Sequence, residues 1–468
     1  MTRSLQANLQ HTRRSDVGSE TAADTTLLLE DLKRRYKRDG EPLEVNFREM
    51  VGWVRPGDQL THQIHPYPAK LLPHIAHFFV NASVLRRESA VLDPFAGTGT
   101  VALEASLAGG VPYIADSNPL ALLIAKVKTT PYDSMALLET ARVLSRRIAR
   151  LRTAPHIPVV NEQLWYFANT KQELERVLRG VGELDSESER DFFRVCFSVV
   201  ARRLSLADPS ISVPVRLAVK ERFDDSANKA VRKHLKWLKA ASALAEFDNA
   251  VQSNIARVAA ANRAFPHRKE AVVVGNDARA LSLGDRTLPA ESIHLSITSP
   301  PYGSAQKYIR ASSLALNWLS LCEPRGLAEL EGKSIGREHL PSRQKQVEMR
   351  EQRYSAPLAA DLLAIRETNP HRADITATYL AELEQALREI VRVTAPGGHT
   401  VIVVGNNTVT GRVLRNDEFI ATAMRQLGLE LELELKDRIH SRGLLTTRHS
   451  TAGVINGETI MLFRKPTP

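Results

Sequence analysis

The segment AVLDPFAGTGTVALEASLAGGVPYIAD, residues 90–116, decides the fold class of this chain. It opens with the apolar run 90–92, passes through a turn that contains Gly97 and Gly99, and ends with a second apolar run at 111–115. The residues between the turn and position 107 have helical composition. Strand, glycine turn, helix and strand in this order predict a βαβ unit and therefore a parallel sheet.

The same alternation returns after a long helical stretch. Apolar runs and helical periodicity predict strands at 271–274, 293–297, 400–404, 430–435 and 459–463, and helices at 378–393 and 417–427. The helix 378–393 leads through Pro396-Gly397-Gly398 into the strand 400–404. The intervening residues are rich in Leu, Ala, Arg and Glu and have few strand signals. The sequence therefore predicts a doubly wound, mostly parallel α/β sheet that is interrupted by a helical insertion.

Four regions follow from this pattern. They are an N-terminal tail with a short basic helix (1–59), the first half of the sheet domain with a helix at 71–80 (60–132), the helical insertion (133–270), and the second half of the sheet domain (271–468). Within the last region, the variable segment 303–375 is expected to be charged and irregular apart from a helix at 312–321.

A second informative segment, Thr298-Ser299-Pro300-Pro301-Tyr302, directly follows the apolar run 293–297. Two consecutive prolines stiffen the backbone and remove two N–H donors, so that carbonyl oxygens stay available as acceptors. With a serine oxygen before them and an aromatic ring after them, the segment is suited to hold an exocyclic amino group and to stack on a base. The alternative interpretation is a proline-rich turn that closes a strand.

The glycine turn also indicates a ligand. Gly97 and Gly99 allow a tight turn and a close approach to a bound molecule. With Ala102 they match the G-x-G-x-x-A spacing of dinucleotide sites, so a nicotinamide site is one alternative. Asp93, however, places a carboxylate beside the turn, which suits a sulfonium or ammonium group and repels a pyrophosphate. Asp116 ends the next strand, where an acid accepts hydrogen bonds from ribose hydroxyls or caps the following helix.

Several of these segments resemble the motifs of the S-adenosylmethionine-dependent DNA amino-methyltransferases, most closely the site-specific cytosine-N4 enzymes. The resemblance covers residues 60–130 and 271–463 and implies a class I methyltransferase (Rossmann-like) fold with S-adenosyl-L-methionine as the cofactor. It implies no metal. Besides Ser299, Pro300, Pro301 and Tyr302 as catalytic residues, it implies cofactor contacts by His65, Pro66, Asp93, Pro94, Phe95, Gly97, Thr98, Gly99, Thr100, Asp116, Ser117, Asn276, Asp277 and Thr298. His65 and Pro66 belong to a segment that runs on through Tyr67-Pro68-Ala69-Lys70 and resembles the family's cofactor-closing loop.

The resemblance leaves the target base open. Ser299 favours cytosine N4, because adenine N6 enzymes of the family usually carry Asp or Asn at that position. Lys307 departs from the family, in which an acidic residue is expected before Tyr308. An adenine-N6 DNA enzyme, an RNA base methyltransferase and a non-catalytic DNA-binding protein on this fold remain alternatives.

Composition agrees with a nucleic-acid partner. The chain of 468 residues has a net charge of +10, with 43% hydrophobic and 25% charged residues. Duplex DNA is the expected partner, together with a cognate restriction endonuclease, while the oligomeric state stays open. Two basic groups are candidates for contacting phosphate: Arg216, Lys220, Arg222, Lys229, Arg232, Lys233, Lys236 and Lys239 beside Trp237, and Arg337, Arg343, Lys345, Arg350 and Arg353. For each group, a solvated helix face is the alternative.

Two further observations exclude classes of protein. Cys196 and Cys322 lie far apart in apolar surroundings, so both are expected to be core thiols. This argues against methylation of a pyrimidine at C5, which needs a thiolate nucleophile. The sequence shows no membrane-spanning apolar run and no secretory signal, so a reduced, cytoplasmic location is expected.

Overall fold

The computed structural model describes residues 24–51, 60–67, 71–85, 90–221, 223–303, 307–340, 355–438 and 457–468. The predicted tail before residue 24 and the positions Pro68, Ala69, Lys70, Arg222, Arg343, Lys345, Arg350 and Arg353 lie outside these ranges. None of the helices in the described ranges has both the length and the apolar character needed to cross a bilayer.

One sheet organises the described part of the chain. Its strands are β1 (Leu43–Val45), β2 (Ala90–Asp93), β3 (Val111–Ala115), β4 (Val272–Gly275), β7 (Ile293–Thr298), β8 (Thr394–Val404), β11 (Glu430–Arg438) and β12 (Gly457–Arg464), and two small hairpins add β5 (Ser282–Leu283) with β6 (Arg286–Thr287) and β9 (Asn407–Val409) with β10 (Arg412–Leu414). The strand order in the sheet is β1-β11-β12-β8-β7-β2-β3-β4.

The pairing pattern identifies the fold. β2 is an interior strand that pairs in parallel with β3 on one side and with β7 on the other, and β3–β4 and β7–β8 are also parallel. Among the described strands of this sheet, only β12 runs against its neighbours, β8 and β11. A chain that winds outward from a central strand in both directions, with one antiparallel strand near an edge, has the class I methyltransferase architecture. The predicted fold class is confirmed.

Helices cover both faces of the sheet. They are α1 (Thr26–Asp39), α2 (Phe47–Met50), α3 (Pro73–Val80), α4 (Thr100–Leu107), α5 (Pro119–Thr129), α6 (Ser134–Arg150), α7 (Glu162–Trp165), α8 (Ala168–Gly182), α9 (Glu187–Arg203), α10 (Asp225–Ala240), α11 (Ala243–Ala264), α12 (Tyr308–Trp318), α13 (Leu327–Lys333), α14 (Ala356–Thr368), α15 (Pro370–Val393) and α16 (Asn416–Gln426). Along β8, Val401 and Val403 pack with α1, α3 and α4, whereas Ile402 and Val404 pack with α14, α15 and α16. Successive side chains of a strand point to opposite faces, so this alternation places β8 between two helical layers.

The helices of residues 134–264 share a core with the sheet domain. Phe192 and Phe197 of α9 pack in one apolar cluster with residues of α5 and α12. Trp318, at the end of α12, is fully buried and contacts Phe197 edge-on at 5.4 Å between ring centroids. Its indole N–H donates to the hydroxyl of Tyr166 at 2.9 Å. The inserted helices therefore pack directly on α12, which follows the Thr298–Tyr302 segment along the chain.

Some local predictions were wrong. The strand predicted at 400–404 begins earlier, at Thr394, so residues 396–398 belong to β8 and do not merely lead into it. The Gly397 N–H donates to the carbonyl of Lys465 at 2.8 Å, and the Lys465 N–H donates to the carbonyl of Gly398 at 2.9 Å. The stretch forms a bulge in β8, in which Gly397 has a φ of +73°, and these two hydrogen bonds hold the bulge against the chain after β12.

The segment 303–375 is more regular than predicted. Where it is described, it contains α12, α13, α14 and the first residues of α15. Leu358, Leu362 and Ile365 of α14 are buried at helical spacing against α15, and this burial stabilises the helix despite the charged composition around it.

Candidate active-site cleft

The functional side chains meet because four parallel strands end at the same edge of the sheet. Asp93 ends β2, Asp116 follows β3, Asp277 lies beyond β4, and Ser299 follows β7. All four residues line one cleft of about 230 Å³. Ligands of open α/β sheets bind outside the carboxyl ends of the strands, at the point where the strand order reverses, and β2 is that point here.

The glycine turn between β2 and α4 is tied to Asp116. The Gly97 N–H donates to Asp116 Oδ2 and the Asn118 N–H donates to Asp116 Oδ1, both at 2.8 Å. Gly97 and Gly99 have φ values of +49° and +70°, a backbone region that residues with a side chain rarely adopt. Burial raises the pKa of Asp116 to about 6, although these two backbone hydrogen bonds lower it.

Asp93 connects the glycine turn to the proline segment. Its carboxyl accepts a hydrogen bond from Thr298 Oγ1 at 2.7 Å and another from the Phe95 N–H at 3.1 Å. Burial raises the pKa of Asp93 to about 7, against the lowering effect of these two hydrogen bonds. A buried carboxyl whose pKa lies near 7 is more stable as a carboxylate when a positive charge is close by. Asp93 is therefore suited to a cationic ligand.

The protonation of Asp93 leads to a prediction about pH. Between about pH 4 and pH 7 the folded protein keeps a proton on Asp93 that the unfolded chain has lost. Asp93 therefore lowers the free energy of unfolding as the pH rises through this range, and its destabilising contribution is constant above about pH 7. Asp93→Asn should therefore stabilise the cofactor-free protein, by an amount that grows from pH 5 to pH 7 to on the order of 1–3 kcal/mol. Thermal unfolding measured from pH 5 to pH 8 tests this. Asp285→Asn, in the exposed β5–β6 turn, serves as the control, and parallel curves for wild type and Asp93→Asn would contradict the prediction.

The proline segment 299–303 is anchored by the elements around it. Tyr379 of α15 donates its hydroxyl to the Pro301 carbonyl at 2.9 Å, and Asn407 Nδ2 donates to the Gly303 carbonyl at 2.8 Å. A Cβ on Gly303 would lie 2.8 Å from the Tyr379 ring, so this position has no room for a side chain. The Pro300 carbonyl accepts no hydrogen bond from the described residues.

Tyr302 makes two polar contacts in the cleft. Its hydroxyl donates to Glu458 Oε1 at 2.9 Å and lies 3.4 Å from Ser299 Oγ. Burial, followed by the nearby Glu458 carboxyl, raises the pKa of Tyr302 well above its usual range. Its hydroxyl therefore acts as a hydrogen-bond donor at neutral pH.

Most of the residues expected from the sequence lie around the cleft. They are Asp93, Pro94, Phe95, Gly97, Thr98, Thr100, Asp116, Ser117, Asp277, Ser299, Pro300, Pro301 and Tyr302. His65, Pro66, Gly99, Asn276 and Thr298 are not among the lining residues. Asn276 is exposed, and the Asp277 carboxylate forms an ion pair with Arg279 at 2.7 Å.

Sequence reasoning missed a second group of lining residues. They are Tyr67, Leu71, Ala96, Asn118, Ala278, Tyr308, Lys333, Ser334, Ile335 and Glu458. Tyr67 lies within the segment 65–70 that resembles the cofactor-closing loop, and Asn118 lies two residues after Asp116, so their neighbours in the sequence could have suggested both. Ser334 and Glu458 lie in segments without any motif and reach the cleft only through the tertiary fold.

Lys307 and the two cysteines are also placed by the structure. Lys307 forms an ion pair with Glu338 at 3.0 Å, beside the lining residue Tyr308. Cys196 is fully buried in α9, as predicted, whereas Cys322 is partly exposed after α12 and is not the core thiol that was expected. Neither cysteine lines the cleft.

The cleft has the polar groups that S-adenosyl-L-methionine requires. Asp93 and Asp116 supply carboxyl oxygens for cationic and hydroxyl groups. Thr98 Oγ1 is buried and has no hydrogen-bond partner among the described residues, so the side chain is available to a ligand. The cofactor fits this set of residues, and Asp93, Thr98 and Asp116 would hold it.

Comparisons with known proteins agree with this arrangement. The family model of an RMKL-like methyltransferase domain, UPF0020, matches residues 63–130. The Type II methyltransferase M.MvaI of Kocuria varians is 23% identical over 377 residues, which cover 75% of this chain and 78% of that protein.

Solved structures with a similar sequence come from Thermus thermophilus. A DNA modification methylase from this organism is 23% identical and matches 41% of this chain and 51% of that chain, with a TM-score of 0.20. Its complex with S-adenosyl-L-methionine matches 54% of that chain, with a TM-score of 0.22. The present chain thus spans about half the length of these structures, and its fold assignment rests on its own strand order.

The glycine turn with its two acids, the strand order and the matching methyltransferase domain all describe the same kind of protein. Residues 63–130 match a methyltransferase domain, the described sheet has the class I methyltransferase strand order, and the chain is similar to a DNA methyltransferase over three quarters of its length.

Proposed function

We propose that this protein transfers a methyl group from S-adenosyl-L-methionine to the exocyclic N4 of cytosine in a defined sequence of duplex DNA. In this proposal it acts in the cytoplasm as the modification component of a restriction or defence system, with a cognate restriction endonuclease as partner. The observation that carries the proposal is the hydrogen bond from Thr298 to Asp93, because it joins the acceptor segment 299–302 to the cofactor turn within one cleft.

The acceptor segment suits an amine that is a weak nucleophile. The lone pair of an exocyclic amine is delocalised into the ring, and two acceptors draw the nitrogen toward tetrahedral geometry. Ser299 Oγ and the Pro300 carbonyl are those acceptors in our proposal, and the carbonyl has no competing donor among the described residues. Positioning and electrostatics then account for most of the catalysis, without a covalent enzyme intermediate.

The transfer step balances without another reactant. The cofactor supplies an electrophilic methyl group on a positively charged sulfur. With the cofactor bound, the amine lone pair would form the new N–C bond as the C–S bond breaks, the sulfur would keep that electron pair, and the proton lost by the nitrogen would pass to solvent. Tyr302 stacks on the target base, which must leave the duplex because its amino group cannot be reached inside the base stack.

Ser299 supports cytosine as the target base. In the family that this segment resembles, serine at that position is typical of cytosine-N4 enzymes, and aspartate or asparagine is typical of adenine-N6 enzymes. Adenine N6 is the second candidate, since an adenine enzyme would use the same cofactor turn and the same pair of acceptors.

One experiment tests this proposal. DNA from cells that express the protein is analysed by nucleoside mass spectrometry and by modification-sensitive long-read sequencing, with Ser299→Ala at equal expression as the control. We expect N4-methylcytosine in one sequence context, and its loss in the variant. N6-methyladenine would overturn the base assignment, and methyl groups found only in RNA would overturn DNA as the substrate.

The inserted helix α10 supports a polyanionic partner. Lys229, Arg232, Lys233 and Lys236 are exposed and recur at helical spacing, so they lie along one side of the helix. None of the four forms an ion pair with an acidic residue in the described ranges. Trp237 on the same helix is 36% exposed. Such a stripe is suited to the phosphates of a DNA backbone, where basic contacts position the protein without specifying sequence.

Removing this stripe should weaken binding in a salt-dependent way. Changing all four residues to Gln should lower the affinity for duplex DNA roughly tenfold or more at about 0.1 M salt. It should also reduce the slope of log K against log salt concentration by about 1 to 3, since each lost phosphate contact lowers that slope by about 0.9. Fluorescence anisotropy over a salt series measures both quantities. The matched control changes four exposed basic residues of α1, Arg34, Arg35, Lys37 and Arg38, to Gln. An equal loss in the two variants would show that only net charge matters.

A further inference from the structure

The acidic residue that reaches into the cleft from β12 has no part in the function proposed above. Glu458 is the second residue of the last strand and lines the cleft together with Ser299, Pro300 and Tyr302. It is separated from Tyr302 by 156 positions in the chain, and the strand order brings the two together.

The surroundings of Glu458 are unfavourable for a carboxylate. Burial raises the pKa of this carboxyl, and Asp437, its partner across the β11–β12 ladder, raises it further, while Arg48 of α2 lowers it. The hydrogen bond that stabilises the carboxyl in the cleft comes from the Tyr302 hydroxyl at 2.9 Å. An acid in a cleft that must admit a polyanion opposes binding unless it performs a specific task, so its placement requires an explanation.

Tyr302 provides that explanation. Its ring packs beside the apolar cluster of α14, α15 and α16, and its hydroxyl is the only polar end by which the ring orientation can be fixed. Ser299 Oγ, at 3.4 Å, is a distant second partner, whereas Glu458 Oε1 lies at normal hydrogen-bond distance. A ring that is held at its far end presents one face to the cleft and loses little conformational freedom when a base stacks on it.

We infer that Glu458 is a positioning residue, which fixes the Tyr302 ring through its hydroxyl so that the ring is preorganised to stack on the target base. This inference rests on the proposed methylation of a flipped base. In this inference Glu458 acts on catalysis through the Tyr302 hydroxyl and takes no direct part in binding the base or the cofactor.

A double-mutant cycle tests the inference. Glu458→Ala should lower kcat/KM for duplex DNA about tenfold to hundredfold, the range that aromatic stacking on one base supplies, and should leave cofactor affinity unchanged. Glu458→Gln should retain most of the activity, since the amide oxygen still accepts from Tyr302. In the Tyr302→Phe background, which lacks the hydroxyl, Glu458→Ala should have no further effect. Glu139→Ala, a change at an exposed acid on α6, is the matched control.

Two outcomes of the cycle would overturn the inference. If Glu458→Ala has wild-type activity, the contact does not matter. If it lowers activity equally with and without the Tyr302 hydroxyl, Glu458 acts by another route.

A second measurement does not depend on methyl transfer. In protein labelled with 3-fluorotyrosine, the ¹⁹F resonance of Tyr302 is assigned by its absence in Tyr302→Phe. It should be a single narrow line in wild type and in Glu458→Gln, and should shift and broaden in Glu458→Ala. An unchanged line in Glu458→Ala would refute the positioning role even if the proposed reaction is correct. A shifted line in a protein that methylates no DNA would refute the proposed reaction and leave the Glu458–Tyr302 coupling intact.

Discussion

Replacement of Ser299 and Tyr302 together by alanine is expected to lower methyl transfer about a thousandfold or more while the affinity for S-adenosyl-L-methionine changes little. In the proposed mechanism, Ser299→Ala removes one of the two acceptors for the amine, and Tyr302→Ala removes the surface on which the base stacks. The cofactor side of the cleft keeps Asp93, Thr98 and Asp116, which neither substitution touches. Single-turnover transfer of a labelled methyl group to duplex DNA and calorimetric titration of the cofactor measure the two quantities separately.

The single variants divide this effect between its two causes. Ser299→Ala alone should lower the rate at saturating DNA, because the amine is held less well at the moment of transfer. Tyr302→Ala alone should also raise the DNA concentration needed for half-maximal rate, because stacking contributes to binding of the flipped base. A double variant with full activity would show that the segment 299–302 is not the acceptor site.

The parts of the fold that could be predicted are those with local causes. β2, the glycine turn, α4 and β3 follow one another within residues 90–116, and each is specified by the residues that form it. Gly97 and Gly99 adopt the positive φ values for which glycine is needed. Asp93, Asp116 and Ser299 could be placed at one edge of the sheet because each lies at, or directly after, the carboxyl end of a parallel strand.

The parts that sequence reasoning missed depend on contacts between distant residues. Glu458 reaches the cleft because β12 lies beside β8, and nothing in its neighbouring residues indicates a polar site. The stretch 396–398 has the composition of a loop, yet hydrogen bonds with Lys465 make it a bulge inside β8. In α14 the signal was present, since Leu358, Leu362 and Ile365 have helical spacing, but the charged residues around them concealed it.

Gly99→Ala is expected to abolish measurable cofactor binding, with a loss of at least about a hundredfold in affinity, and with it methyl transfer. A Cβ at this position would lie 2.7 Å from Ala125 Cβ and 3.0 Å from Ala125 Cα, so the new methyl group meets the backbone of α5 and not a side chain that can move aside. α5 begins directly after Asn118, whose N–H helps to hold Asp116. Separation of the glycine turn from α5 therefore disturbs both sides of the proposed cofactor site.

Gly109→Ala isolates the clash from the cost of the backbone conformation. Gly109 has a φ of +78°, close to the +70° of Gly99, but a Cβ there would meet no atom within 4 Å. Both variants carry the penalty of about 1–2 kcal/mol for an L-residue in the left-handed region, and only Gly99→Ala adds the collision with α5. Cofactor affinity is measured by calorimetry on protein whose folded state has been verified by circular dichroism. Equal affinity in the two variants would rule out close packing as the reason for glycine at position 99. Ala125→Gly removes the Cβ that faces Gly99, so combining it with Gly99→Ala should restore part of the cofactor binding. It should restore none of the stability lost in Gly109→Ala, because the collision is specific to the contact between the turn and α5.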